Sequence, residues 1–225
     1  MRHSSFMLIL FGILFLTACG SQAVENDESA YSHFEDDKMI GNVWGVSTGK
    51  VEVDISEWEK RSRKGPNGTD EGYSYIAKVG EETTIKHEDG TEASIEDLKR
   101  GQKVLVNPPR GGSFEGTPKE IILLEMTYEE KYARLLSHVD GYNLVVMYEE
   151  GSTLPAELQE TLYGEVLEIT NKEVVATWRP YDKEYVVDYK EELGIAEFPI
   201  MLVFDKEKLV YKTNVVEELY EFFED

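Results

Sequence analysis

"GIAEFPIMLVFDKEKLVYKTN", residues 194–214, sets a Phe-Pro step ahead of five apolar residues, Ile200 to Phe204, then an Asp205-Lys206-Glu207-Lys208 turn and a second strand-like run. The first run shows no polar alternation, which is the pattern of a strand buried on both faces of its sheet. Proline is tolerated at a strand's first residue, so Pro199 fits as its opening. The chain then ends in "VVEELYEFFED", with apolar residues at helical spacing.

Working outward, the sequence upstream supplies the rest of a layered α/β unit. "YEEKYARLLSHV" predicts a helix with Tyr132, Leu135, Leu136 and Val139 on one face, and "YNLVVMY" predicts another strand buried on both sides. "LPAELQETLYGEVLEI" returns to helix and "EVVATW" to strand. "VDYKEELGI" is a short helix stopped at Gly194. From Tyr128 onward the order is α-β-α-β-α-β-β-α.

That order, and "ELGIAEFPIMLVFD" in particular, resembles the thioredoxin-like folds, in which a helix and a Gly-Ile step lead into a cis-proline. The resemblance implies a cis Phe198-Pro199 bond. It also sets Ser152-Thr153-Leu154-Pro155 where a redox Cys-x-x-Cys motif would lie. Thiol exchange needs a thiolate attacking sulfur, and the single cysteine, Cys19, is far away in the sequence. Thiol-disulfide oxidoreductase activity is therefore excluded. What the resemblance leaves is a groove for an anionic or peptide ligand, formed by Gly151, Ser152 and Thr153 facing Phe198 and Pro199. The plain structural alternative is that Ser152 or Thr153 caps the following helix, with Pro155 in its first turn.

Residues 40–127 are different material: short alternating segments bounded by Gly, Asp and Asn. "IGNVWGVS" and "KVEVDIS" flank a Thr48-Gly49 turn, and "YSYIAKV", "TTIKH", "QKVLV" and "KEIILLEMT" follow. Ser94 with Asp97 matches an N-cap arrangement, and Gly101 a C-terminal stop. Five or six strands with one short helix suggest a small closed barrel, OB-like in outline. Two loops interrupt it: Ser56 to Gly72, holding the basic cluster Lys60, Arg61, Arg63 and Lys64, and the Pro/Gly-rich Asn107 to Pro118. "GNVWGV" and the block "TTIKHEDGTEASIEDLKRGQKVLV" resemble a family of unknown function from secreted and lipid-anchored proteins of Bacillus-type bacteria. That family brings no catalytic residues to carry over.

The first eighteen residues, with Arg2 before an apolar run from Phe6 to Leu16, match an export signal and are too short to span a bilayer. Leu16-Thr17-Ala18-Cys19 resembles the bacterial lipobox. It implies a diacylglyceryl thioether on Cys19, cleavage before it, and anchoring by two acyl tails at the outer face of the cytoplasmic membrane. Residues 19–39 then read as a lipidated, disordered acidic tether.

The chain carries 45 acidic against 23 basic residues, a net charge of -22. Residues 128–225 hold 23 acids and nine bases. Nucleic-acid partners are excluded, because phosphate-backbone binding draws on clustered Lys and Arg. His87 and His138 stand without the further ligands a zinc site requires, and no calcium-loop motif is present. Neither a metal nor another cofactor is expected, and no catalytic residue is assigned.

The expectation is thus a two-domain α+β chain: signal 1–18, tether 19–39, OB-like barrel 40–127 and thioredoxin-like domain 128–225. The function expected is a lipid-anchored envelope module that binds a protein, peptide or wall component without catalysis. The alternative is an envelope hydrolase using dispersed carboxylates or the Ser152 turn.

Overall fold

The computed structural model describes residues 36–61, 72–109 and 113–224. The signal segment, Cys19, most of the tether, Arg63 and Lys64 lie outside the described residues. The architecture is α+β, with two mixed sheets and, among the described residues, five α-helices.

The first sheet holds β1 (Met39–Ser47), β2 (Lys50–Asp54), β3 (Ser74–Lys78), β4 (Thr84–His87), β5 (Lys103–Val106), β6 (Glu115–Gly116) and β7 (Glu120–Leu123). Their order is β4-β7-β5-β1-β2-β3-β6. Alternation decides which side is core: Val51 and Val53, Tyr75 and Ala77, Val104 and Val106, Ile121 and Leu123 are buried while their neighbours face outward. The short helix α1 (Ser56–Arg61) seats Trp58 against this inner face.

The expected closed barrel does not form. Among the described residues no ladder joins β4 to β6, and the sheet stays open. The reason is visible at the edge: β6 is two residues long and Pro118, just beyond it, has no N–H to donate to another strand. The tether boundary also shifts. Composition placed residues 36–39 in the tether, yet Trp58 Nε1 donates to Asp36 at 3.1 Å, Asn107 Nδ2 to the Asp37 carbonyl at 3.1 Å, and Lys38 meets Glu120 at 2.6 Å. Met39, fully buried, opens β1.

The second sheet comprises β8 (Tyr142–Glu149), β9 (Val174–Tyr181), β10 (Ile200–Phe204) and β11 (Leu209–Thr213), ordered β11-β10-β8-β9. β8 and β9 run parallel, and the other two pairings are antiparallel. As the unbroken apolar runs predict, both faces are covered. On one face Val145, Met147, Ile200, Leu202 and Phe204 pack with Tyr189 and Leu135. On the other, Leu144, Val146, Met201 and Val203 pack under α3 (Glu160–Ile169) and α5 (Val216–Glu224). The Asp205 turn is closed by its own carboxylate, which accepts from the N–H groups of Glu207 and Lys208, each at 2.7 Å.

The helix expected over residues 128–139 is shorter. α2 (Tyr128–Tyr132) starts in a Thr127–Glu130 capping box and then stops. Its continuation bends so that the Ser137 N–H reaches the Asp205 carbonyl at 2.9 Å, bringing Leu135 and Leu136 into the core by another route. α4 (Tyr189–Glu192) begins at Asp188, whose carboxylate accepts from the Lys190 and Glu191 N–H groups, and is followed by Gly194 at φ +58°.

Candidate functional site

The bond Phe198-Pro199 is cis, as the resemblance implied. Pairing of Ile200 with Met147 brings Pro199 alongside the end of β8, close in register to the Gly151 turn. Ser152 does not cap the following helix: its hydroxyl donates to the Glu149 carbonyl at 2.6 Å. Helical structure begins later, in a 3-10 turn at Ala156–Leu158 with Pro155 at its N-cap and no side-chain cap. Gly151, Ser152 and Thr153 are exposed. The Phe198 ring lies on the Tyr181 ring, centroids 5.1 Å apart, with the Lys190 ammonium 5.3 Å from its centroid. Phe198 thus supports Tyr181 from behind.

Tyr181 leads to a cavity of about 1220 Å3 between the two sheets. None of the five groove residues lines it. Its floor is the junction of the sheets. The Arg100 N–H donates to the Glu184 carbonyl at 3.0 Å, the Arg100 carbonyl accepts from the Val186 N–H at 2.8 Å, and the Arg100 guanidinium meets Asp182 at 3.1 Å. A second clamp pairs Lys103 with Glu130. Gly101, at φ +84°, lets the chain pass beneath the Tyr185 ring, which any Cβ here would overlap. Gly101 matches a helix stop in sequence, but the contact it serves is between the sheets.

Arg134, just past α2, and Arg179, on β9, form one wall. The Arg134 guanidinium sits 4.1 Å from the Tyr185 ring centroid, a cation–π stack. Tyr185 is itself stacked on Tyr189 at 5.5 Å. Arg179 Nη2 reaches the Arg134 carbonyl at 3.4 Å. Burial, and secondly the charge of Arg134, pulls the Arg179 guanidinium below its ordinary pKa. The opposite wall is β1, with Trp44 65 % exposed and Gly45 beside it. Tyr181, desolvated and donating to Asp188 at 2.8 Å, is pushed up to about 12 and stays a neutral hydroxyl.

The perturbed carboxylates described, among them Glu120, Glu130, Asp140 and Asp188, are held below their ordinary range. For Glu130 the first cause is the Lys103 hydrogen bond, then the Thr127 N–H. At Asp188 desolvation pushes upward, but the Tyr181 hydroxyl and two backbone N–H groups outweigh it. Among the described residues no group of three His, Cys, Asp or Glu is placed to hold a metal. No helix among them is long and apolar enough to cross a membrane.

Sequence reasoning missed Arg134 and Arg179. A signal was present: they are the two arginines among the nine bases of residues 128–225, each set in an otherwise apolar stretch, "YARLLS" and "ATWRPY". Compared with known proteins, the chain matches no family model and no curated protein.

Proposed function

We propose that this chain is a lipid-anchored envelope protein whose first sheet and thioredoxin-like second half together hold a small ligand without catalysis. The thioredoxin-like reading is supported by the β11-β10-β8-β9 order, the parallel β8–β9 pair, helices on both faces and the cis-proline before β10. The anchor rests on Leu16 to Cys19, and the first half keeps its resemblance to secreted lipoproteins of Bacillus-type bacteria in "GNVWGV" and Thr83 to Val106. One observation carries the binding reading: the cavity between the sheets is large enough to take a small ligand and is walled by paired strands and stacked aromatics. A general acid would need a carboxyl group pushed up, and the perturbed ones are pulled down.

Gly45 supplies the test. A Cβ there meets nothing within 4 Å, so Gly45→Trp sets an indole into the cavity from the β1 wall and narrows it without a backbone clash. The full chain, purified in detergent from cells that make it, should retain a small ligand in native mass spectrometry, and the Gly45→Trp chain should not. Equal ligand content in both, or none in either, would remove the reading.

A further inference from the structure

Arg134 and Arg179 lie side by side in a protein of net charge -22, yet among the described residues neither guanidinium has a carboxylate within ion-pair distance. The other cations of the cavity are engaged: Arg100 with Asp182, Lys103 with Glu130 and Lys183 with Glu184. In both Arg134 and Arg179 the Nε is buried with no acceptor. Both side chains are half-buried and their Nε atoms are fully covered; a buried donor without an acceptor costs on the order of 1–3 kcal/mol. With so many carboxylates in the chain, leaving two guanidinia unneutralised is a specific arrangement. Tyr185 fixes the plane of Arg134 by stacking, so the fork is held in place before anything binds.

We infer that the Arg134–Arg179 pair is the recognition site for the oxyanion of a small organic ligand, a carboxylate or a phosphate. This rests on the cavity being the ligand site, and it names the chemistry that site takes. Two adjacent guanidinia offer the paired N–H donors that planar carboxylates and phosphates accept in bidentate fashion. Opposite them, the exposed Trp44 gives the remainder of such a ligand an apolar surface. Glu149, Glu150 and Glu184 also line the cavity and repel anions, so the site selects a ligand that reaches the arginines directly rather than any ion drawn in by the field.

The test titrates the full chain in detergent with inorganic phosphate and, separately, citrate, at ionic strength matched by sodium chloride. At least one of the two should bind saturably and raise the melting temperature. Phosphate alone identifies a phosphoryl ligand, citrate alone a carboxylate, and either supports the site. Arg179→Gln and Arg134→Gln should each weaken that binding by about tenfold to a hundredfold, the equivalent of one hydrogen bond to a charged group. Wild-type NMR covers the case in which a variant fails to fold: the buried Nε–H signals of both arginines should shift during the titration. No saturable binding of either anion, unchanged affinity in both variants, or unmoved Nε–H signals would overturn the inference. A ligand retained by the wild type and lost in Gly45→Trp, with no response to phosphate or citrate, would sink this inference alone. Anion binding that persists in Gly45→Trp would sink the cavity reading instead.

Discussion

In the first sheet, Lys38 and Lys86 share the Glu120 carboxylate at 2.6 and 2.5 Å, and Lys78 meets Glu115 at 2.7 Å. Residues 128–225 carry 23 acids, yet among the described residues Arg134 and Arg179, beside the second sheet, pair with none. The two regions differ in burial in the same sense. The first sheet has one inner face and alternates, whereas β8 and β10 are covered on both sides. Where water covers one face, a salt bridge is cheap and contributes little, typically 0–1 kcal/mol. Beside the sheet buried on both faces, a covered donor without an acceptor, as at the Nε of Arg134 and Arg179, is costly.

The largest effect expected on that contrast comes from Gly141, just before β8. A Cβ there would overlap the backbone of Glu173, whose carbonyl accepts the Tyr142 N–H at 2.9 Å. Gly141→Ala should cost about 4 kcal/mol or more, since backbone cannot give way as a side chain can. Denaturant unfolding that shows a loss below about 1 kcal/mol would mean the start of β8 is looser than described.

Neighbouring substitutions test the two faces directly. Met201→Ala and Leu202→Ala point to opposite sides of β10 and should each cost about 2–5 kcal/mol. In β7, Ile121→Ala should fall in that range and Ile122→Ala well below it, because Ile121 is fully buried and Ile122 is not. Equal losses at Ile121 and Ile122 would erase the distinction between the sheets.

Smaller again is Gly101→Ala at the junction, expected to cost about 2 kcal/mol for the left-handed backbone. It should also separate the unfolding of the two sheets by displacing Tyr185. One unchanged, coincident transition by fluorescence and circular dichroism would contradict it.

Acid should give the mildest change. The carboxyls of Glu120 and Glu130 have folded pKa values below their unfolded ones, so their contribution is present above the ordinary glutamate value of 4.5 and is lost progressively as pH falls below it. Replacing both with Gln should flatten that part of the stability profile, while the Arg134–Tyr185 stack persists because guanidinium does not titrate there.

Much of this layout was legible in the sequence, for reasons that differ by element. Ile200 to Phe204 could be read because burial on both faces leaves an uninterrupted apolar run, and Asp205 because an aspartate that bonds its own turn is a local device. The open first sheet was not legible. Alternation shows which face of a strand is inward, not whether its edges meet, and β6 is too short to signal at all. Residues 36–39 look like the acidic stretch before them, and only long-range partners, Trp58, Asn107 and Glu120, bind them down. The anion site escaped for the same reason: Arg134 and Arg179 lie 45 positions apart and meet only through tertiary structure.

β8 also imposes an order on the chain's assembly. It is the central strand, with five consecutive buried residues from Asn143 to Met147, yet both strands that flank it come later in the sequence, β9 from Val174 and β10 from Ile200. During synthesis this run emerges with neither neighbour to pair with. It is the segment most exposed to sticking to other chains until some sixty further residues have followed it. A cell that makes this protein therefore has to keep it apart from its own copies until Phe204 is in place.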